Sequence, residues 1–168
     1  MSDDDVYRLG YRWLVRGPIE TVFRFVSDAR TYLDWFTVFK EVHADDAVGP
    51  IQVGSHTTMR VKALLPYTLD WDVTVVRHEP PSLHETAVKL SLSSRFGMHG
   101  WIRFRLAEQP GGLIAVYNEQ ELAADRPQPR LLRPLTQAAF TFNHRWAFRQ
   151  AERPLQAIVA GAGYAGAG

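Results

Sequence analysis

Alternation of apolar and polar residues is the feature that most constrains how this chain can fold. In residues 6–16 the apolar side chains lie at every second position, at Tyr7, Leu9, Tyr11, Trp13 and Val15. This period of two is typical of a strand with one buried face. The pattern recurs in residues 55–65, 67–75, 83–93, 97–106 and 113–122, and more weakly in 38–44. We therefore predict about seven strands. Their apolar faces must be buried against another element of the fold.

Three segments have helical spacing instead. Gly17-Pro18 ends the first strand, and the following apolar residues predict a short helix: Ile19, Val22, Phe23 and Val26. Ser27 and Asp28 are candidate N-caps for a second short helix. Residues 131–159 carry a long apolar stripe formed by Phe140, His144, Ala147, Phe148, Ala151, Leu155 and Ile158. We expect an α+β fold in which a curved antiparallel sheet (one strand, two short helices, then six strands) wraps around a long C-terminal helix.

The length and the end of the chain suggest its domain organisation. With 168 residues the chain fits one domain of ordinary size. We predict a single domain over residues 1–159, with Pro154 bending or ending the long helix. Residues 160–168 consist of Gly and Ala around one Tyr, which predicts a flexible tail.

The strand faces follow from the positions of the charged residues. A hairpin centred near residue 66 would place Arg60 opposite Asp72 and Lys62 opposite Asp70. Four charges are costly in an apolar core, so this face is predicted to be solvated. The inner face then contains Met59, Val61, Tyr67, Leu69, Trp71 and Val73. The last strand has two possible facings: either Ile114, Val116, Asn118 and Gln120 point inward, or Leu113, Ala115, Tyr117 and Glu119 do.

The composition argues against several functions. The 19 Lys and Arg are balanced by 18 Asp and Glu and form no basic stripe, which argues against nucleic-acid binding. There is no cysteine, and the six histidines lack the spacing of a zinc motif. No metal and no cofactor are therefore expected. The acidic residues after Met1 and the lack of a long apolar run predict a cytoplasmic protein without an integral membrane segment.

A sheet closed by a helix leaves a concave apolar space, the usual kind of ligand site. The inward strand positions and the helix stripe name the candidate ligand-binding residues: Trp13, Met59, Trp71, Val88, Ile102, Asn118, Gln120, Phe140, His144 and Phe148. His144 lies on the same stripe as Phe140 and Phe148, so it is also the candidate catalytic acid or base. A structural role for a lone helical histidine is the alternative. Glu119 and Glu121 are expected to pair with Arg103 or Arg105.

The order of elements and two sequence segments resemble the START-like SRPBCC superfamily, which has the helix-grip fold. The segment from Val15 to Phe23 with Val26-Ser27-Asp28-Ala29 is similar to the family's strand-to-helix opening, and Asn143 to Gln150 is similar to its C-terminal helix. The resemblance covers nearly the whole chain and implies the polyketide cyclase/dehydrase-like branch. The Rieske centres of some relatives are excluded, because that cluster needs two cysteines.

Three functions are compatible with this resemblance, because one fold serves many functions. The first is binding of a small hydrophobic, ring-containing ligand, polyketide- or lipid-like, between the sheet and the helix. The second is a cyclase or dehydratase that uses His144 as acid or base. The third is a protein-binding module, similar to relatives that resemble coenzyme Q-binding or chaperone-associated proteins.

Overall fold

The computed structural model describes residues 6–46, 48–62, 64, 67–93, 96–126 and 133–165. Seven strands and three α-helices follow one another in the predicted order. The strands are β1 (Val6–Arg16), β2 (Phe39–Ala44), β3 (His56–Val61), β4 (Leu69–Glu79), β5 (Leu83–Ser93), β6 (Phe96–Gln109) and β7 (Leu113–Ala124). The helices are α1 (Ile19–Ser27), α2 (Tyr32–Trp35) and α3 (Arg133–Ala165), with a 3₁₀ turn at Ala29–Thr31 between α1 and α2.

All seven strands form one antiparallel curved sheet in the order β1-β7-β6-β5-β4-β3-β2. Strands β2 to β7 are neighbours in chain order, whereas β1 pairs with β7 at the opposite edge from β2. The segment with α1 and α2 must therefore lead the chain from one edge of the sheet to the other. The result is the predicted helix-grip α+β fold.

Two sets of polar contacts fix α3 to β1. The indole Nε1 of Trp13 donates a hydrogen bond to the backbone oxygen of Phe148 at 2.8 Å. At the end of β1, the side chain of Gln156 accepts from the backbone nitrogen of Arg16 at 2.7 Å and donates to its backbone oxygen at 3.0 Å. The backbone of a strand forms its ladder hydrogen bonds with the strands beside it and not with a helix above it. The side chains of Trp13 and Gln156 therefore attach α3 to the face of the sheet.

The pairing of β1 with β7 decides the facing of the last strand. Trp13, which is fully buried, lies opposite Val116, and Tyr11 lies opposite Asn118. Residues directly opposite each other in a sheet share a face, so Val116, Asn118 and Gln120 point toward α3, and all three are buried. On the other face Glu119 pairs with Arg105 at 2.8 Å and with Arg103 at 3.7 Å, as predicted. The prediction was wrong for Glu121, which pairs with Arg8 of β1 at 3.1 Å.

The predicted register of the β3–β4 hairpin was wrong by two residues. Arg60 lies opposite Asp70 and bonds it at 3.0 Å, and Thr58 rather than Arg60 lies opposite Asp72. A shift of two residues preserves the face of every side chain, so the charged face is still solvated. The predicted hinge at residue 66 lies outside the described residues.

The C-terminal helix is longer than predicted. It continues past Pro154 to Ala165, so residues 160–165 are helical and do not belong to a flexible tail; residues 166–168 lie outside the described part. Val159 is buried and Ala162 packs against the core. Such tertiary contacts stabilise a helix that the low propensity of glycine would disfavour. No helix in the described residues is long and apolar enough to cross a membrane.

Gly100 allows β6 to lie very close to β7. A Cβ atom at this position would overlap the backbone carbonyl of Glu121, whereas a Cβ at Gly10 in β1 would lie 3.5 Å from the backbone oxygen of Asn118, an ordinary contact. Glycine inside a strand commonly marks such a close approach of two backbones.

We expect Gly100→Ala to destabilise the protein by about 1–3 kcal/mol, because the backbone of β7 must move to admit the methyl group. Gly10→Ala is the matched control and should change the free energy of unfolding by less than about 0.5 kcal/mol. Urea denaturation of both variants checks the prediction, and equal stability of the two would contradict it.

Candidate functional site

A cavity of about 110 Å³ lies between the inner face of the sheet and α3. Apolar cavities of this order accept a benzene-sized molecule. Most of the predicted ligand-binding residues line it, namely Met59, Trp71, Ile102, Gln120, Phe140, His144 and Phe148. These residues lie on four strands (β3, β4, β6 and β7) and on α3. They converge because the inward side chains of curved strands point toward the face that α3 covers.

Three predicted residues do not line the cavity. Trp13 lies behind the wall, where its indole stacks on Phe148 with ring centroids 5.0 Å apart and on Phe104 at 6.4 Å. Val88 is fully packed in the hydrophobic core. Asn118 is also buried and contacts neighbouring polar side chains. Alternation placed Trp13 and Val88 on the correct face and left two facings open for Asn118, and it could not separate the core from the cavity wall.

Asn118 organises the polar part of the site. Its Oδ1 accepts a hydrogen bond from Gln120 Nε2 at 3.0 Å and lies 3.1 Å from Nε2 of His144. Because Oδ1 has no proton to give, His144 must carry its proton on Nε2. Asn118 therefore fixes the tautomer of His144 and the orientation of Gln120, although Asn118 does not itself line the cavity.

Burial keeps His144 neutral. Removal from water, with a smaller contribution from the nearby Arg145 guanidinium, lowers the pKa of His144 to about 4. Its imidazole stacks on the ring of Phe148, with the centroids 4.2 Å apart. Because the neutral imidazole donates its one N–H to Asn118, its Nδ1 is left as an acceptor. The role of His144 as catalytic acid or base stays a prediction.

A second buried histidine was missed by the sequence analysis. His84 lines the cavity and is buried, and its Nδ1 lies 3.0 Å from Nδ1 of His78, its direct neighbour on β4. Burial, with a smaller contribution from His78, lowers the pKa of His84 to about 4. The alternation in β5 indicates this position, since His84 lies two residues before Thr86 and four before Val88 and thus shares their inward face.

Other polar cavity residues were also missed, notably Ser27, Ser55, Thr57, Thr86 and Asn143. Thr57 lies two residues before Met59 and Thr86 two residues before Val88, so alternation places both on the inner face. Asn143 lies on α3 beside His144, and its Oδ1 accepts a hydrogen bond from the backbone nitrogen of Leu64 at 3.1 Å. That contact joins residues far apart in the chain, so no local pattern indicates it.

The described residues that line the cavity include no Asp, Glu, Lys or Arg. A charged ligand would lose its hydration there without gaining an opposite charge. Within the described part of the chain, no group of three or more His, Asp or Glu side chains is arranged to hold a metal ion. The wall is thus suited to an uncharged, mainly apolar molecule with a few hydrogen-bonding groups.

Comparison with solved structures identifies the fold. The chain is similar to the Zhui aromatase/cyclase from Streptomyces sp. R1128, with a TM-score of 0.68, 10% identity and coverage of 92% of this chain and 94% of that one. It is also similar to an uncharacterised protein from Rhizobium leguminosarum, with a TM-score of 0.61, 18% identity and coverage of 90% and 95%. A protein from Chromobacterium violaceum gives a TM-score of 0.64 at 14% identity, with coverage of 92% and 96%.

These similarities confirm the helix-grip fold that the resemblance in the sequence implied. No family model matches the sequence, and no curated protein matches it either. At such low identities the shared property is the scaffold, and function must be argued from the cavity.

The two buried histidines predict a pH-dependent stability. Their pKa values lie near 4 in the folded chain and near the ordinary 6.5 when unfolded, so between these limits the unfolded chain binds more protons. Stability therefore falls as the pH drops from about 6.5 to about 4. Between pH 7 and pH 5 the expected loss is about 2 kcal/mol for each histidine.

Urea denaturation at the two pH values measures this loss. We expect His144→Gln to remove about half of it. His43→Gln, a change at a side chain that is 74% exposed, should leave the loss as it is. An unchanged pH dependence in His144→Gln would show that His144 does not titrate as its burial requires.

Proposed function

We propose that this protein binds a small hydrophobic, ring-containing ligand, polyketide- or lipid-like, in the cavity between the sheet and α3. The observation that carries this proposal is the wall itself, which combines aromatic and aliphatic side chains with a few fixed polar groups and, among its described residues, no charge. Planar rings stack favourably on aromatic side chains such as Phe148, Phe104 and Trp71. We also propose that the protein is cytoplasmic, as the sequence predicts.

Filling the cavity should abolish binding. Ala147 on α3 is buried and lines the cavity, whereas Ala157 on the same helix is exposed. We expect Ala147→Phe to weaken binding of benzene, used as a neutral probe, by at least about tenfold, because the added ring occupies the ligand's volume. Ala157→Phe adds the same ring to the surface and should bind the probe like the wild type.

Isothermal titration calorimetry measures both affinities, and thermal melting followed by circular dichroism checks that each variant is folded. If Ala147→Phe is folded and binds the probe unchanged, the probe lies outside the cavity and the proposal fails. Native mass spectrometry of the purified protein complements the titration, because a retained polypeptide in place of a small molecule would favour the protein-binding alternative.

A second candidate function is a cyclase or dehydratase that uses His144 as acid or base. It is supported by the shared fold with a protein described as an aromatase/cyclase and by the position of His144 in the cavity wall. The neutral imidazole would exchange a proton with a hydroxyl or a carbon next to a carbonyl while the cavity orients the substrate.

The molecules retained by wild type and by His144→Gln distinguish these two functions. A dehydratase should leave in His144→Gln a molecule heavier by one water than the one recovered from the wild type. A binding protein should retain the same molecule in both. Mass spectrometry after denaturing extraction gives the comparison.

A further inference from the structure

The side of α3 that faces away from the sheet carries large apolar side chains in its first half. Leu135 is 71% exposed and Phe142 is 61% exposed, and Trp146, one turn further on, is half-buried. Since a helix turns once in 3.6 residues, positions separated by seven and then by four residues share a face. Ala138 and Ala139 lie between them on the same side. A group of apolar side chains that projects into water indicates an interaction surface.

The same side of α3 becomes basic in its second half. Arg149 and Arg153 follow Trp146 by three and seven residues and continue its face, and Arg145 lies at the border of that face. All three arginines are exposed. We call the set Leu135, Phe142, Trp146, Arg149 and Arg153 the exposed stripe.

The positive charge of the exposed stripe is not neutralised within the described part of the chain. No ion pair there includes Arg145, Arg149 or Arg153. Glu152 is the only acidic residue between positions 134 and 165, and the whole chain has a formal net charge of +1. The helix is therefore a local cationic surface on a nearly neutral protein, and its charge complements an anionic partner.

The apolar and basic halves are close enough to contact one surface together. Phe142 and Arg149 are seven residues apart, or about 10 Å along a helix. Long side chains on a helix lean toward its N-terminus, which brings a guanidinium at position 149 closer to Phe142. Exposed rings beside arginines are typical of helices that bind anionic bilayers. The rings enter the boundary between headgroups and acyl chains, and the guanidinium groups contact lipid phosphates.

A bilayer fits the exposed stripe better than a protein or a nucleic acid does. The apolar side chains project from a convex helix, so a protein partner would need a groove shaped to receive them. Fluid lipid receives them without such a groove. A nucleic acid would neutralise the arginines but would leave Leu135 and Phe142 in water.

We propose that the exposed stripe of α3 binds the surface of a membrane that contains anionic lipids. Leu135 and Phe142 enter the boundary of the acyl chains, and the arginines lie at the level of the phosphates. The cytoplasmic leaflet of a membrane carries such lipids, so this binding is compatible with a cytoplasmic protein.

The other side of the same part of α3 lines the cavity through Phe140, Asn143 and His144. Binding of the exposed stripe would therefore bring the cavity next to the bilayer, in which hydrophobic molecules are concentrated. The inference goes beyond the proposed function and does not require that the cavity holds a ligand.

Cosedimentation with vesicles tests the charge contribution. The vesicles contain phosphatidylcholine alone or phosphatidylcholine with about 30% phosphatidylglycerol, which is anionic. We expect the protein to bind the anionic vesicles at least about tenfold more tightly, and about 1 M salt to remove most of this preference. Arg149→Gln/Arg153→Gln should weaken binding to the anionic vesicles by about twentyfold, at about fivefold for each arginine.

The matched control removes two positive charges from the other side of the protein. Arg12 and Lys89 are exposed and lie on the face of the sheet that points away from α3. Arg12→Gln/Lys89→Gln should weaken binding by less than about threefold, because charges far from the membrane are screened. Equal losses in the two double variants would show that overall charge, and not the exposed stripe, binds the vesicles, and would overturn the inference.

A fluorescent label tests whether the apolar half enters the bilayer. The chain has no cysteine, so one introduced cysteine carries one label. Leu135→Cys labelled with nitrobenzoxadiazole should gain at least about twofold in fluorescence when anionic vesicles are added, because the dye leaves water. The same label on Val76→Cys, at an exposed position on β4, should not change.

Three further outcomes decide the inference and keep it separate from the proposed function. Equal binding to both kinds of vesicle would overturn it. Binding of polyglutamate, with no change of the Leu135→Cys label on vesicles, would assign the arginines to an acidic protein partner and would also overturn it. Calorimetric titration of Arg149→Gln/Arg153→Gln with benzene should give the wild-type affinity, so a failure of membrane binding leaves the proposed function standing.

Discussion

The attachment of α3 across the inner face of the sheet is the constraint on which the rest of the structure depends. Trp13 bonds the backbone of Phe148, and Gln156 bonds both backbone groups of Arg16. These contacts set the height of the helix above the strands, and hence the volume left between them. His144, one turn before Phe148, reaches Asn118 on β7 because the helix is held at this distance.

Desolvation is the second physical factor that defines the site. The described part of the cavity wall has no charged side chain, and burial lowers the pKa of both His84 and His144 to about 4. Each histidine needs a hydrogen-bonding partner, which Asn118 and His78 supply. These hydrogen bonds fix the orientation of each imidazole, so the histidines of the site are neutral and oriented before a ligand binds.

Much of the fold could be predicted because it depends on local periodicity. The alternation in β1, β5 and β6 gave the correct inner faces, and the spacing around Phe148 predicted the long helix. Three features depend on tertiary contacts and could not be predicted from local periodicity. The first is the pairing of Arg60 with Asp70, two residues from the predicted partner, and the second is the facing of Gln120. The third is the extension of α3, which the packing of Val159 and Ala162 stabilises.

The sequence by itself determined the order of elements, the apolar faces of β1 and of β3 to β6, and most residues of the cavity wall, because each follows from a period of two or 3.6 residues. Only the tertiary structure decided that Trp13 and Val88 belong to the core and that His84 belongs to the site. Periodicity gives the direction of a side chain but not its depth. Depth depends on the curvature of the sheet and the position of α3, which are set by contacts between residues far apart in the chain.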